Sequence, residues 1–322
     1  STAILSASLA LSLLRHGFPP GLPVVVSPYS LASALSILHD GANGSTQQEL
    51  TDLLFNGCTP AEVTELYSSL APSLPSSNDD GVAFKSANRL YVDDSISLKT
   101  AFQIHVESKY GVKVENLNLT NKADAAKKMN EFVKRATDGM IANMLDADGI
   151  SDEAKAILIN AVHFIGKWKH PFNPSSTRNG FYTNDNGDKR SVKFMNLYDK
   201  SLRTSENING TVLILPYKDE DYSFFFIMAH KASNLDTLRR DLTGEQLVNM
   251  LQEARASNVD ITVPQLEIES KLQRARILKQ MGLKSLFDST ADLSKVFFKK
   301  SFLGKSICAI SEPLPIHLLS PF

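Results

Sequence analysis

The chain has 322 residues, 43% of them hydrophobic, so it can bury a large core in one domain or two. Its 34 Lys and Arg residues nearly balance its 35 Asp and Glu residues, which argues against nucleic acid or an anionic membrane as a partner. The two cysteines, Cys58 and Cys308, lie far apart, and this excludes a disulfide framework and a cysteine-rich metal site.

Two helices are predicted near the start of the chain. Apolar residues recur at helical spacing over residues 3–14, and residues 15–17 carry the signals of a helix end. This segment is too short to span a bilayer, and it is a poor signal peptide because serines interrupt it and no basic residue precedes it. Ser27 and Pro28 start a second helix, which closes near Gly41.

A loop, a strand and a further helix are predicted next. Residues 72–81 are rich in Pro, Ser, Asn and Asp, which predicts a loop, and residues 82–92 read as an extended strand. Helical spacing then continues over residues 123–145, with Gly139 as the predicted end of the helix.

The second half of the chain predicts mainly strands. Residues 156–164 and 224–228 are apolar runs of strand length, typical of strands covered on both faces. Apolar and polar residues alternate over 259–263, as in a half-buried strand, before Pro264 interrupts the pattern. Residues 272–282 return to helical spacing. Because no repeat or low-complexity linker divides the chain, these elements predict one mixed α+β domain.

Several short motifs follow one another in a particular order. They are Val26-Ser27-Pro28-Tyr29-Ser30, Ala87-Asn88-Arg89-Leu90-Tyr91, Thr137-Asp138-Gly139-Met140, Asn160-Ala161-Val162-His163-Phe164 with Gly166-Lys167-Trp168, and Val263-Pro264 with Met281-Gly282-Leu283. In these motifs and their order, residues 1–303 resemble the serpins, a family of metastable serine-protease inhibitors. The resemblance implies an α+β fold in which helices pack around three mainly antiparallel sheets.

The resemblance also implies a mechanism in which an exposed reactive loop is bait for a serine protease, or for a cysteine protease in some members. Cleavage lets the loop insert as a new strand into the main sheet, and stored strain becomes inhibition. The sheet must open for this step. The resemblance therefore assigns conformational, noncatalytic roles to Ser27, Ser30 and Asn160 beneath the sheet and to Trp168 where insertion begins.

Each of these four residues also has an ordinary structural interpretation. Ser27 and Ser30 are typical of a helix N-terminus, Asn160 suits a turn or a satisfied buried amide, and Trp168 suits core packing. The neighbouring motif residues favour the conformational roles, and they favour them more for Ser30 than for Ser27.

The sequence departs from the family after Leu303. Residues 296–303 resemble the strand that leads into the reactive loop, with Lys299 in place of the usual histidine. The expected Gly-Thr-Glu hinge and its run of small residues do not follow. We therefore predict a serpin body over residues 1–303 and a shortened tail over residues 304–322. The reactive loop cannot be assigned, and the fold is expected to be incomplete at its last strands.

The first functional hypothesis is a serpin-family inhibitor of serine endopeptidases that is impaired by loss of the loop. Strands such as residues 224–228 would then lack neighbours and favour self-association. The alternative is a noninhibitory binding or chaperone-like protein with the serpin fold. An enzyme is disfavoured because the chain has neither a Gly-x-Ser-x-Gly nor a His-Glu-x-x-His motif, and His163 suits a satisfied sheet residue better than a catalytic base. We predict no cofactor, no metal and no catalytic residue.

The compartment is predicted from weak signals. Few cysteines and no recognisable leader favour an intracellular protein, whereas the family has many secreted members. Sequons begin at Asn43, Asn118 and Asn209, and they matter only after secretion.

Overall fold

The computed structural model describes residues 2–17, 26–55, 59, 61, 81–152, 154–183, 187–208, 210–230, 235–265, 268–270, 274–288, 290–297 and 314–316. None of the helices in these ranges is long and apolar enough to cross a membrane. The loop predicted before Gly81, Lys299 and most of the tail lie outside the described residues.

Helices and strands alternate without a repeat. The helices are α1 (Thr2–Gly17), α2 (Pro28–Gly41), α3 (Gly44–Phe55), α4 (Thr100–Tyr110), α5 (Lys122–Ala136), α6 (Leu235–Asp241), α7 (Gly244–Glu253) and α8 (Arg274–Gln280). The strands are β1 (Val82–Asp93), β2 (Lys113–Leu117), β3 (Ala156–Gly166), β4 (Arg178–Thr183), β5 (Lys189–Asn207), β6 (Gly210–Pro216), β7 (Ser223–Met228), β8 (Arg255–Pro264), β9 (Ile268–Ser270) and β10 (Leu314–Ile316). The predicted elements at residues 3–17, 28–41, 82–92, 156–164 and 259–263 are confirmed.

Helix α5 ends earlier than its sequence pattern indicates. The helix stops at Ala136, whereas the prediction carried it to Gly139. Asp138 and Gly139 both have positive φ, and the Thr137 side chain accepts a hydrogen bond from the Ile141 N–H, so the chain turns back. Ile141 is nevertheless buried in the apolar cluster beneath α5, which explains why its spacing looked helical.

The main sheet has strand order β2-β1-β3 in the described residues. β1 pairs antiparallel with β3 and parallel with β2. On one face, Leu90 and Leu158 join α2 in a large apolar cluster. On the other face, Tyr91, Ile157 and Ile159 pack against α5. The main sheet is thus covered on both faces, as the apolar run in β3 predicted.

A short ladder lies beside β3. β9 pairs antiparallel with β10, with Pro315 opposite Glu269, and Cα atoms of β10 lie within 8 Å of β3. Proline is normally excluded from the interior of a sheet, because it cannot donate a ladder hydrogen bond. Pro315 nevertheless lies within β10, where it can accept but not donate a ladder hydrogen bond. The described part of the tail is therefore paired rather than isolated.

The second sheet has strand order β4-β5-β6-β7, and β8 pairs with β5. Helices α1, α6 and α7 cover one of its faces. β7 is the last strand of this order, and β6 is its one partner in the part of the chain that the structure describes. β7 is covered in part: Phe224 and Phe226 pack against one apolar cluster and Ile227 against another, whereas Phe225 is 38% and Met228 48% exposed. That this strand lacks a further neighbour stays a prediction.

Candidate functional site

The N-terminus of α2 meets the middle of β3. Ser27 caps α2 by accepting a hydrogen bond from the Ser30 N–H at 3.2 Å, and Pro28 occupies the first turn, where a missing N–H costs nothing. The Ser30 hydroxyl donates to Oδ1 of Asn160, and both side chains are buried. The structure therefore brings Ser30 and Asn160 together, while Ser27 has the capping position that its sequence context also allowed.

Asn88 is a further residue beside the Ser30–Asn160 pair, and its sequence motif did not predict a role for it. It lies on β1 directly opposite Asn160. Its Oδ1 is buried and has no hydrogen-bond partner among the described residues. An unsatisfied buried acceptor costs about 1–3 kcal/mol. The sequence signal was an asparagine within each of two predicted strands, and the register that pairs them is not readable from the chain.

Arg89 ties α5 to the main sheet. Its guanidinium lies 3.9 Å from the centroid of the Phe132 ring on α5, and its Nη1 lies 2.6 Å from Oε2 of Glu115 on β2. Burial raises the pKa of the neighbouring Tyr91, and the positive charge of Arg89 partly opposes that rise. These contacts join α5, β1 and β2.

An aromatic cluster joins the end of β3 to the second sheet. The Trp168 ring stacks on Tyr217, with ring centroids 4.6 Å apart and planes at 15°. The edges of Phe172 and Phe224 approach Trp168 with centroids at 6.1 Å. Burial raises the pKa of the Tyr217 hydroxyl. A Cβ at Gly166 would lie 2.4 Å from the Tyr217 ring, so this approach of the two sheets requires glycine.

Backbone hydrogen bonds reinforce the same junction. The Lys169 N–H donates to the Pro216 carbonyl at 3.1 Å, and the Lys218 N–H donates to the Lys167 carbonyl at 2.7 Å. Trp168 is consequently both a core side chain and the point at which the two sheets are connected. It lies apart from the Ser30–Asn160 pair, at the end of β3 rather than beneath its middle.

The Ser30–Asn160 pair, the Arg89 contacts and the aromatic cluster around Trp168 all join strands of the sheets to neighbouring elements. Over the described ranges, no cluster of three or more His, Cys, Asp or Glu side chains could hold a metal ion. The side chain of His163 and the segment in which a reactive loop was sought lie outside the described residues. The described contacts join β3 to α2 and the segment after β3 to the second sheet.

Comparison with known proteins decides the family. The family model described as "Serpin (serine protease inhibitor)" matches residues 7–310. The chain belongs to the serpin family. The family and the α+β serpin fold predicted from the motifs are both confirmed.

Relatives and solved structures extend the match. This serpin is 29% identical to serine protease inhibitor 42Dd of Drosophila melanogaster over 291 residues, which cover 90% of this chain and 76% of that protein. It is 26% identical to human leukocyte elastase inhibitor over 309 residues, covering 91% of this chain and 80% of the other. The crystal structure of human thyroxine-binding globulin complexed with thyroxine superposes with a TM-score of 0.84 at 22% identity, covering 95% of this serpin and 82% of that chain. This last likeness concerns the fold alone.

Proposed function

We propose that this serpin keeps the body of a protease inhibitor over residues 1–303 but does not trap proteases. Inhibition by loop insertion needs a spare strand that can enter the main sheet. The hinge motif is absent after Leu303, and β10, the described part of the tail, is already paired with β9 beside β3. This pairing is the observation that carries the proposal.

The division into body and tail has support from packing. The four apolar clusters formed by the described residues contain no residue beyond Phe297. Within the described part of the chain, residues of the body therefore form these clusters among themselves.

Protease trapping tests the proposal directly. The purified chain is mixed with trypsin, chymotrypsin, leukocyte elastase and the cysteine protease papain, and the products are separated on denaturing gels. Human leukocyte elastase inhibitor with leukocyte elastase is the positive control. We expect no covalent, denaturation-resistant complex with this chain. Such a complex with any of the four proteases would overturn the proposal.

A noninhibitory binding or chaperone-like role is the second candidate. The β9–β10 ladder favours it, because a surface that binds a partner does not need the main sheet to open. Binding of an intact partner without cleavage of this chain would support this role. We infer no catalytic activity in either case, and turnover of an ester or a nucleotide by the pure protein would contradict that inference.

We further propose that Ser30 and Asn160, with Asn88 opposite, fasten β3 to α2 and β1. Ser30→Ala should lower the free energy of unfolding by about 1–3 kcal/mol, because it leaves the buried Asn160 carbonyl without its donor. Urea unfolding measures the loss. Ser36→Ala is the matched control, since Ser36 is equally buried on α2 and its hydroxyl has no partner among the described residues. Equal effects of the two substitutions would refute the role of Ser30.

We also propose that the chain self-associates through β7. An open strand edge with apolar, uncharged side chains is a template for pairing with another chain. β7 carries no charged residue, it pairs on one side in the described structure, and Phe225 and Met228 are exposed.

A charge on this edge should prevent the association. We expect wild-type protein to form dimers or larger species as its concentration rises to about 100 µM, and Phe225→Lys to remain monomeric, because a lysine on an edge opposes pairing. Sedimentation velocity measures both. Ile104→Lys changes an exposed apolar residue on α4 and should behave as wild type. A monomeric wild type over the whole range would exclude this surface.

A further inference from the structure

A cavity of about 410 Å³ lies between α1, α3 and the turn after α8. Its apolar walls include Leu5 and Leu9 of α1, Leu53 of α3 and Met281 of the turn. Leu9 is 7% exposed and belongs to the large core cluster, so the cavity reaches down to the protein interior. Its volume falls within the range of about 300–1,000 Å³ that is typical of small-molecule sites.

Two carboxylates of α3, those of Glu49 and Asp52, line this cavity, and they have different hydrogen-bond partners. Glu49 Oε2 accepts hydrogen bonds from the N–H groups of Lys284 and Ser285, each at 2.8 Å, and from the Ser285 hydroxyl at 2.9 Å. Its charge therefore holds the turn after α8 in place. Asp52 is exposed and accepts a hydrogen bond from Gln48 on its own helix. Asp52 is thus the carboxylate that a ligand can reach.

The charged side chains that line the cavity have one sign. Among the described residues, none of the side chains that line it is basic, and its remaining polar lining comes from Ser8 and Ser12. An anionic ligand would meet two carboxylates without a compensating cation. A ligand with an apolar body and a positive group would bury the body against the leucines and leave its charge beside Asp52.

We propose that this cavity binds a small amphiphilic cation, an apolar chain or ring that carries one ammonium group. The leucines and Met281 contact the apolar body, and Asp52 selects the sign of the head group. The proposal is independent of protease trapping, because the described lining of the cavity comes from α1, α3 and the turn after α8.

Three probes with the same apolar chain separate burial from charge. Decyltrimethylammonium, decyl maltoside and decyl sulfate, each below its micellar concentration, are titrated into the full chain by calorimetry. We expect the cation to bind most tightly and the sulfate most weakly. Met281 reports the place of binding, because its methyl NMR signal, assigned with Met281→Leu in methionine-labelled protein, should shift on addition of the cation.

Two variants complete the test. Asp52→Asn should weaken binding of the cation about twofold to fivefold, as expected for an exposed ion pair, and leave the maltoside unaffected. Glu253→Gln removes an exposed carboxylate outside the cavity and should change neither. Ser12→Phe should fill the cavity and weaken binding of both probes. The proposal is wrong if decyl sulfate binds as tightly as the cation, if Asp52→Asn and Glu253→Gln behave alike, or if the Met281 signal does not move.

Discussion

Replacing Trp168 with alanine will lower the free energy of unfolding by about 3–5 kcal/mol, the usual cost of removing a large buried aromatic side chain. The ring is 6% exposed, stacks on Tyr217 and meets the edges of Phe172 and Phe224. These partners belong to different strands and turns, so they cannot all collapse into the space that the indole leaves. Urea unfolding followed by far-ultraviolet circular dichroism measures the loss, since the variant has no tryptophan left for fluorescence.

Amide exchange in Trp168→Ala distinguishes two roles of the side chain, packing in the core and connection of the two sheets. If Trp168 connects them, amide exchange at Lys169 and Lys218, whose N–H groups bridge the junction, should accelerate more than exchange in the middle of β3. Phe181→Ala removes an aromatic ring that is 71% exposed and should change the stability by less than about 0.5 kcal/mol. A loss below about 1 kcal/mol for Trp168→Ala would show that the junction does not depend on this side chain.

Much of the fold was predictable because its signals are local. Helix α2 begins with Ser27 and Pro28 and ends at Gly41, and each signal acts within one turn of the helix. The end of α5 was placed wrongly because a turn with two positive φ angles brings Ile141 back onto the same core. Spacing alone cannot distinguish a continuing helix from a segment that returns along it.

The edge strands of the sheets and the registers in which strands pair were less predictable, because both depend on residues that are distant in sequence. The apolar sequence of β7 does not show whether a further strand lies beside it. The exposure of its side chains depends on which strands pair with it. The motif order singled out Ser30 and Asn160, and the structure joins them by a hydrogen bond, while their conformational roles stay a prediction. Asn88 was missed because its place opposite Asn160 follows from the pairing of two strands that are far apart in sequence.

Acidification will weaken the packing of α4 against α2 through Asp40. This carboxylate accepts hydrogen bonds from His105 Nε2 at 2.7 Å and from the Tyr110 hydroxyl at 2.8 Å, both on α4, while His39 Nδ1 lies at 3.4 Å. Burial by itself would raise the pKa of Asp40. The hydrogen bonds from His39, His105 and Tyr110 outweigh it and lower the pKa from 3.8 to about 2.

A lowered pKa means that the folded protein favours the charged carboxylate. Asp40 therefore contributes its full stabilisation above the pKa of the unfolded chain, near pH 4, and loses it as the pH falls through about 2. A shift of this size corresponds to about 2 kcal/mol. The difference in unfolding free energy between wild type and Asp40→Asn should narrow by about that amount between pH 5 and pH 2, measured by urea unfolding. Asp94→Asn, at an exposed position outside the cluster, is the matched loss of one carboxylate. If the two variants follow the same pH dependence, the contacts from α4 do not stabilise the charge on Asp40.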